Sequence, residues 1–536
     1  MNIYHKYTIQ LRLAFNELLK KLEIDHINEV TIENMLPKSI LILLPLAHML
    51  SYRQWKHGIL RFPLFWKMWL LAYKFKNRNK ERPRTMEISF EEADAPLSAQ
   101  EISQLKGAIC LVASVQSYMT ALVPLALTLN EHKIKVCLLI PKEGLSWRAV
   151  KGLDGVIKII TIESFMTPSI KERYINNRNR ALYGWDNIKP LDFFRGLAPL
   201  RDMMEVMPDQ VKYVATEIIP QTDAYMECAK EAVKAINPSG VFVARIKRIT
   251  ENVFFRAAKH SGTPVYLLNH GHIGKDWFPL SIGNVMDGVD KVIVWGEQQK
   301  GIISNLFPML PKEVIFPAGG IQWDKHIKKY CGNDRPNPES LRKKIALIFK
   351  DIDQNIPWIT ITMDDGVRRM LPQFFEAIKG LSGFHLFIKI RSDETIESYN
   401  NLIDNKSIYP ISIVSWDMDI SLHELLYCST LAITNISTSN IDALCVGTPV
   451  LTLTLDTSSQ KADRYVYLEE YGLPVVSTKN ELRNLIIEIT DKSFDSTKLK
   501  KAATMAAENI LSNYPNCDAG GKIVSLLSGG VLTNEC

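Results

Sequence analysis

Cysteine is scarce and dispersed. The eight cysteines of this 536-residue chain stand singly, with no CxxC pair and no histidine-rich spacing beside them. That excludes a zinc-ribbon or finger module and a disulfide-stapled scaffold. Cys110, Cys137 and Cys445 sit within apolar runs and read as reduced core residues. Long apolar runs are missing too. The strongest, residues 39–50, falls short of the roughly 20 residues a membrane-spanning helix needs. Charge imbalance is small: 64 Lys and Arg against 58 Asp and Glu give +6, too modest for a dedicated nucleic-acid binder. Residues 1–10 lack the apolar segment and cleavage site of a signal peptide, so the expected compartment is the cytosol. No GxGxxG follows the first strand, which leaves a dehydrogenase-type dinucleotide fold unsupported. What remains, 46% apolar and 23% charged residues, is the composition of a globular chain with room for two or three domains.

Residues 1–95 differ from the rest. Residues 7–22 are amphipathic at helical spacing, with Leu11, Leu13, Ala14, Leu18 and Leu19 on one side. Further on, Phe62, Phe65, Trp66, Trp69, Tyr73 and Phe75 alternate with Lys67, Lys74 and Lys76, and the basic run KNRNKERPR follows. Aromatic, apolar and basic residues in one stretch suit a helix lying on an anionic membrane surface. A helical domain with a solvated basic face accounts for the same residues. The expectation is a helical, membrane-surface region over 1–95 that uses residues 1–85 for contact. It would hold the protein peripherally at the inner face of the cytoplasmic membrane.

From residue 107 the pattern alternates. Apolar runs at 108–113, 134–140, 156–160, 240–244, 265–269 and 291–295 read as buried strands. The segments between them, such as 118–131 and 223–236, carry helical spacing. Alternation of this kind argues for a parallel, doubly wound sheet. His270-Gly271-His272 stands at the carboxyl end of the 265–269 run, where a parallel strand delivers residues to a ligand, although an isolated His-Gly pair also reads as a polar loop. A strand near 314–318 runs into Gly319 and Gly320, with Asp324 just beyond. After a polar, basic connection, a second series opens at 358–362 and ends in Met363-Asp364-Asp365-Gly366. The run 385–390 delivers Lys389 and Arg391.

The most informative stretch is LAITNISTSNIDALCVGTPVLTLTLD, residues 431–456. A short apolar strand, a bend of small polar residues, a short helix stopped by Gly447, then Pro449 and a second strand make a compact βαβ unit. Ser437, Thr438 and Ser439 lie at the carboxyl end of the first strand, beside the free N–H groups of a helix start, an arrangement suited to a phosphate. A single N-cap would need only one hydroxyl.

Taken in order, VYLLNHGHIGKDW, VDKVIVWGEQQKG, EVIFPAGGIQWDKH, HLFIKIRSDE and AITNISTSNIDALCVGTPVL resemble the GT-B glycosyltransferases. The likeness is greatest to the bacterial capsule Kdo and sialic acid transferases and the CDP-glycerol glycerophosphotransferases, over roughly residues 107–480. The resemblance implies an α/β fold of two Rossmann-like domains facing across a cleft: an acceptor domain over 107–335, a nucleotide-donor domain over 355–480, and helices over 481–536 that return toward the first. It places His270 at the acceptor and base site, with Asp276 or Asp324 as alternative bases, and Gly271, His272, Gly319, Gly320, Asp324 and Gly366 around the acceptor or cleft. Ser437, Thr438 and Ser439 would hold the donor phosphates, with Lys389 and Arg391 as counter-charges, and Asp442 and Glu424 would meet sugar hydroxyls. Several of those families have His-Pro where this chain has Lys389 and Arg391, a departure that leaves the donor nucleotide open. The pairs Asp351/Asp353 and Asp417/Asp419 spell DxD but read as loop acids, so neither a metal nor a cofactor is expected. The implied activity is transfer of a sugar from a nucleotide-activated donor to a surface-glycan or lipid-linked acceptor. A CDP-polyol phosphotransferase, a sugar-nucleotide epimerase and a non-catalytic glycan-binding protein are the alternatives.

Overall fold

The computed structural model describes residues 96–529, except 154, 188–211, 247, 272–287, 309, 350–351, 364, 392–393, 401–409, 416, 436–437, 456–465 and 492–495. The membrane-surface segment expected over 1–95 therefore lies outside the described residues, as do His272, Asp276 and Ser437. Among the described residues no helix is long and apolar enough to cross a membrane.

Two parallel sheets organise the chain. The first has seven strands: β1 (Ile109–Val112), β2 (Val136–Ile140), β3 (Lys158–Thr161), β4 (Gly240–Val243), β5 (Val265–Leu268), β6 (Lys291–Val294) and β7 (Ile315–Pro317). Their order is β3-β2-β1-β4-β5-β6-β7. The second has six: β8 (Trp358–Thr362), β9 (His385–Lys389), β10 (Ile411–Val414), β11 (Leu431–Thr434), β12 (Val450–Leu453) and β13 (Val475–Val476), ordered β10-β9-β8-β11-β12-β13. Central strands such as ICLV and WITIT are buried at every position. Unbroken apolar runs are what a sheet covered by helices on both faces selects.

Helices connect most strands, and others precede the first strand and follow the last. The longer ones, in chain order, are α1 (Ala99–Leu105), α2 (Met119–Glu131), α3 (Pro168–Asn187), α4 (Ile219–Ile236), α5 (Ile249–His260), α6 (Glu297–Leu306), α7 (Ile321–Cys331) and α8 (Pro338–Ile348). In the second series come α9 (Asp365–Ile378), α10 (Leu422–Cys428), α11 (Ser439–Cys445), α12 (Lys479–Thr490), α13 (Ser496–Ile510) and α14 (Ala519–Leu527). Serine or threonine capping boxes start α1, α10 and α12, with Glu at the third helical position of each, so these boundaries are written locally.

By compactness the chain divides into two units. One is Met1–Leu268 with Pro279–Val292, the other Asn269–Phe278 with Ile293–Cys536, and the division falls within β6. In the first unit Leu111, Phe242 and Phe254 are among the fully buried side chains. In the second, Ile359, Phe374, Leu386, Ile433 and Leu451 form one core between the six-stranded sheet, α9 and α12. A second core joins Trp295 and Trp323 to the alanine face of α13, Ala502, Ala503, Ala506 and Ala507. Small residues on that face allow close approach: a Cβ on Gly296 would stand 2.4 Å from the Ile510 carbonyl.

Candidate functional site

The six-stranded sheet reverses its winding between β8 and β11. In open α/β sheets ligands bind outside the carboxyl ends of strands at such a switch point. Lys389, the last residue of β9, pairs with Thr362, the last of β8, and β8 pairs with β11, which ends at Thr434. Two strand spacings put the Lys389 and Thr434 backbones about 10 Å apart. One row across three strands thus carries a cation, a buried hydroxyl and the start of the polar bend.

The bend is fixed from below. Thr434 Oγ1 donates to Asn440 Oδ1, Asn440 Nδ2 donates to the Asn435 carbonyl at 3.1 Å, and Asn435 Nδ2 donates to the Leu453 carbonyl. Two asparagines therefore hold the bend against β12 and leave Thr438 exposed at the head of α11, its side chain making no cap bond. Ser439 is half-buried in the first turn. Thr362 Oγ1 is buried and finds no hydrogen-bond partner among the described residues. Such a group at a crevice is one a ligand can satisfy.

Lys389 Nζ donates to the Ser415 carbonyl at 2.7 Å, which holds the half-buried ammonium at the edge of the row. Arg391 is exposed, and its N–H donates to Glu394 Oε2. Glu394 also accepts from the Tyr399 hydroxyl at 2.7 Å and pairs with Arg368 at 3.3 Å. Burial first, and Glu394 second, push the Tyr399 phenol up, so it stays a donor. Gly366 lies in the first turn of α9, on the β8 side of the switch point.

Asp442, expected to meet a ribose or sugar, is engaged inside the protein. Its Oδ1 accepts from Trp323 Nε1 at 2.7 Å and stands 3.2 Å from His423 Nε2, an ion-pair contact whenever that ring is protonated. His423 stacks on His326 with centroids 3.4 Å apart and planes 8° apart. Burial first, and the facing His423 second, bring His326 down to about 4. Glu424 caps α10 and stands 3.5 Å from Lys344 and 3.8 Å from Lys329. Of the DxD acids, Asp417 accepts from Ser415 Oγ and Asp353 accepts from the Asn355 N–H, so both close local turns.

His270 follows β5 on a rigid base. Its neighbour Asn269 donates from Nδ2 to Gln299 Oε1 at 2.8 Å, and that oxygen also accepts from the Trp295 N–H at 3.0 Å. Trp295 Nε1 returns a bond to the Asn269 carbonyl at 3.1 Å, and the Gly271 N–H reaches Asn269 Oδ1. Asn269, Gln299 and Trp295 are buried, while His270 and Gly271 are half-exposed. The sequence signalled the imidazole but not its support, because Gln299 and Trp295 lie on the next strand and helix.

Gly319, Gly320 and Asp324, expected near an acceptor, serve the last helix. Asp324 accepts from Asn513 Nδ2 at 2.5 Å and from the N–H groups of Ala519 and Gly520 at 3.3 and 3.0 Å. Burial raises its pKa despite those three donors. Gly319 has φ +115°, and a Cβ there would lie 2.4 Å from Asn513 Oδ1. The carboxylate offered as an alternative base is thus committed to the start of α14.

No family model matches the chain, and no curated protein does. Solved structures do. A protein described as a UDP-N-acetylglucosamine 2-epimerase from Listeria monocytogenes is 14% identical, with a TM-score of 0.50 over 80% of this chain and 98% of its own. The Neisseria meningitidis UDP-GlcNAc 2-epimerase, solved with UDP-GlcNAc, is also 14% identical, with a TM-score of 0.50 over 79% of this chain and all of its own. A glycosyltransferase from Rickettsia africae is 15% identical, with a TM-score of 0.49 over 80% of this chain and 100% of its own. At these identities the likeness speaks to fold, and this chain has the two-domain, doubly wound α/β fold of the GT-B kind.

Proposed function

We propose that the chain is a glycosyltransferase that takes a sugar from a nucleotide-activated donor and passes it to a surface-glycan or lipid-linked acceptor. The observation that carries this reading is the β8/β11 switch point, where Lys389, the orphaned Thr362 hydroxyl and the asparagine-stapled bend share one edge of the sheet. A diphosphate suits that edge: Lys389 and Arg391 offset its charge, and Thr438 and Ser439 donate to its oxygens. During transfer the bond from the anomeric carbon to the donor phosphate oxygen breaks, and a bond from that carbon to the acceptor oxygen forms. The nucleotide leaves with the electron pair, and the acceptor proton goes to a base. His270 is the assigned base, since it is half-exposed on a buried frame that fixes its backbone.

A second reading is sugar-nucleotide epimerisation, favoured by one observation: the Listeria and Neisseria structures, each with a TM-score of 0.50, are described as 2-epimerases. It would use the same phosphate edge but no acceptor. Mass spectrometry of products from UDP-, CMP- and GDP-sugars, with and without a lipid-linked acceptor, separates the two. Transfer predicts an acceptor heavier by one glycosyl unit and, in His270→Ala, a rate at least a hundredfold lower with nucleotide binding unchanged. An isomerised donor sugar in the absence of acceptor, or full transfer by His270→Ala, would overturn the assignment.

A further inference from the structure

The seven-stranded sheet has its own switch point, between β1 and β4. Their last residues, Val112 and Val243, are register partners, so the two following loops leave the sheet side by side. The loop after β1 is tied down at once. The N–H and Oγ of buried Ser114 both donate to the carboxylate of Glu251, at 2.7 and 2.9 Å. Glu251 is fully buried in the first turn of α5, so this bidentate tie locks the β1 loop to the helix that follows β4. Beyond the tie, Gln116 and Ser117 are exposed.

The loop after β4 supplies Arg245 and Arg248, both half-buried. Arg248 lies 6.0 Å above the ring of buried Tyr118. Arg245 makes no hydrogen bond or ion pair among the described residues. A half-desolvated guanidinium with no counter-charge is costly, and a bound oxyanion offsets that cost through a forked, charge-assisted contact. Glu251, held by Ser114, faces Arg248 electrostatically, so the guanidinium left without a hydrogen bond or ion pair among the described residues is that of Arg245.

We propose that the β1/β4 crevice binds an oxyanion, a phosphate or a carboxylate, through Arg245 and Arg248, with the Glu251-tied loop as its rigid wall. The residues of this site belong to the first compact unit, and those of the phosphate edge to the second. That this oxyanion belongs to the acceptor rests on the transferase reading; the existence of the site does not. Arg245 and Arg248 touch the ligand, and Glu251 is a positioning residue.

The test uses the full chain with UDP present to occupy the other sheet. Inorganic pyrophosphate and citrate are titrated separately, and the thermal midpoint is followed. A saturable rise with pyrophosphate identifies phosphate as the ligand class, and one with citrate identifies carboxylate. Arg245→Gln and Arg248→Gln are expected to weaken the response at least tenfold, and Arg245→Lys, which keeps the charge but loses the fork, to fall between them and the unmodified chain. Their response to UDP should match that of the unmodified chain, which shows that the variants fold. Failure of both anions to give a saturable rise, or equal responses from the arginine variants and the unmodified chain, overturns the site. If UDP does not bind but the anion response still depends on Arg245, the nucleotide reading fails and the oxyanion site stands.

Discussion

At the scale of single residues, burial sets the chemistry more than charge pairing does. Glu251 is the clearest case: burial pushes its carboxyl up to about 7, against the opposing bonds from Ser114. An unfolded carboxyl titrates near 4.5. The folded state therefore holds its proton longer, and the group's contribution to stability is complete below about pH 4.5 and lost as pH rises through about 7. His326 and His385, both brought down to about 4 by burial, act with the opposite sign and lose stability as pH falls. A comparison of the unmodified chain with Glu251→Gln cancels the histidines. Between pH 5 and 8 the unmodified chain should lose, relative to the variant, on the order of 3 kcal/mol. Thermal or urea unfolding at several pH values measures this, and parallel profiles would refute it. Residues at this scale were only partly legible. Lys389, Ser439 and His270 stand out because residue type and strand-end position coincide. Glu251 and Arg245 do not, because their meaning depends on Ser114 and on a strand neighbour more than a hundred residues away.

Elements were easier to read than their partners. Strands β8 and β11 fall where largely apolar runs bounded by turn residues predict them, since a strand buried at every position carries few polar residues. Helices were expected over 481–536, and α14 is the one whose local sequence supports it least, since AGGKIVSLL has two glycines near its start. Two glycines in a first turn oppose a helix, but the Ala519 and Gly520 N–H groups donate to Asp324, 195 and 196 residues earlier in the chain, and Asp518 caps the same turn by accepting from the Gly521 N–H. No local window contains Asp324. Asn513, fully buried, closes the arrangement by accepting from the Gly320 N–H and donating to Asp324. Asn513→Ala should cost about 2–3 kcal/mol through orphaned buried groups. Gly319→Ala should cost at least as much, since its Cβ would meet Asn513 at an unfavourable positive φ. Urea unfolding of the second unit checks both; a loss below about 0.5 kcal/mol for either would show that the clasp is not structural.

For the whole molecule, the alternating strand and helix pattern was enough to anticipate two doubly wound sheets, and the structure contains them, with seven and six strands. What the pattern withholds is how the function divides between them, because any doubly wound sheet offers a switch point and only side chains show what it holds. Here the second sheet offers a lysine, an orphaned hydroxyl and a stapled bend, and the first offers two arginines beside a buried carboxylate. The central claim is that the second sheet grips a nucleotide phosphate with Lys389. Calorimetric titration of UDP, CMP, CDP and GDP into the unmodified chain and into Lys389→Gln tests it most directly. The account predicts that at least one nucleotide binds saturably and that the variant binds it about 10- to 100-fold more weakly, the loss of one charge-assisted hydrogen bond. No binding by any of the four, or equal affinity in the variant, would contradict it.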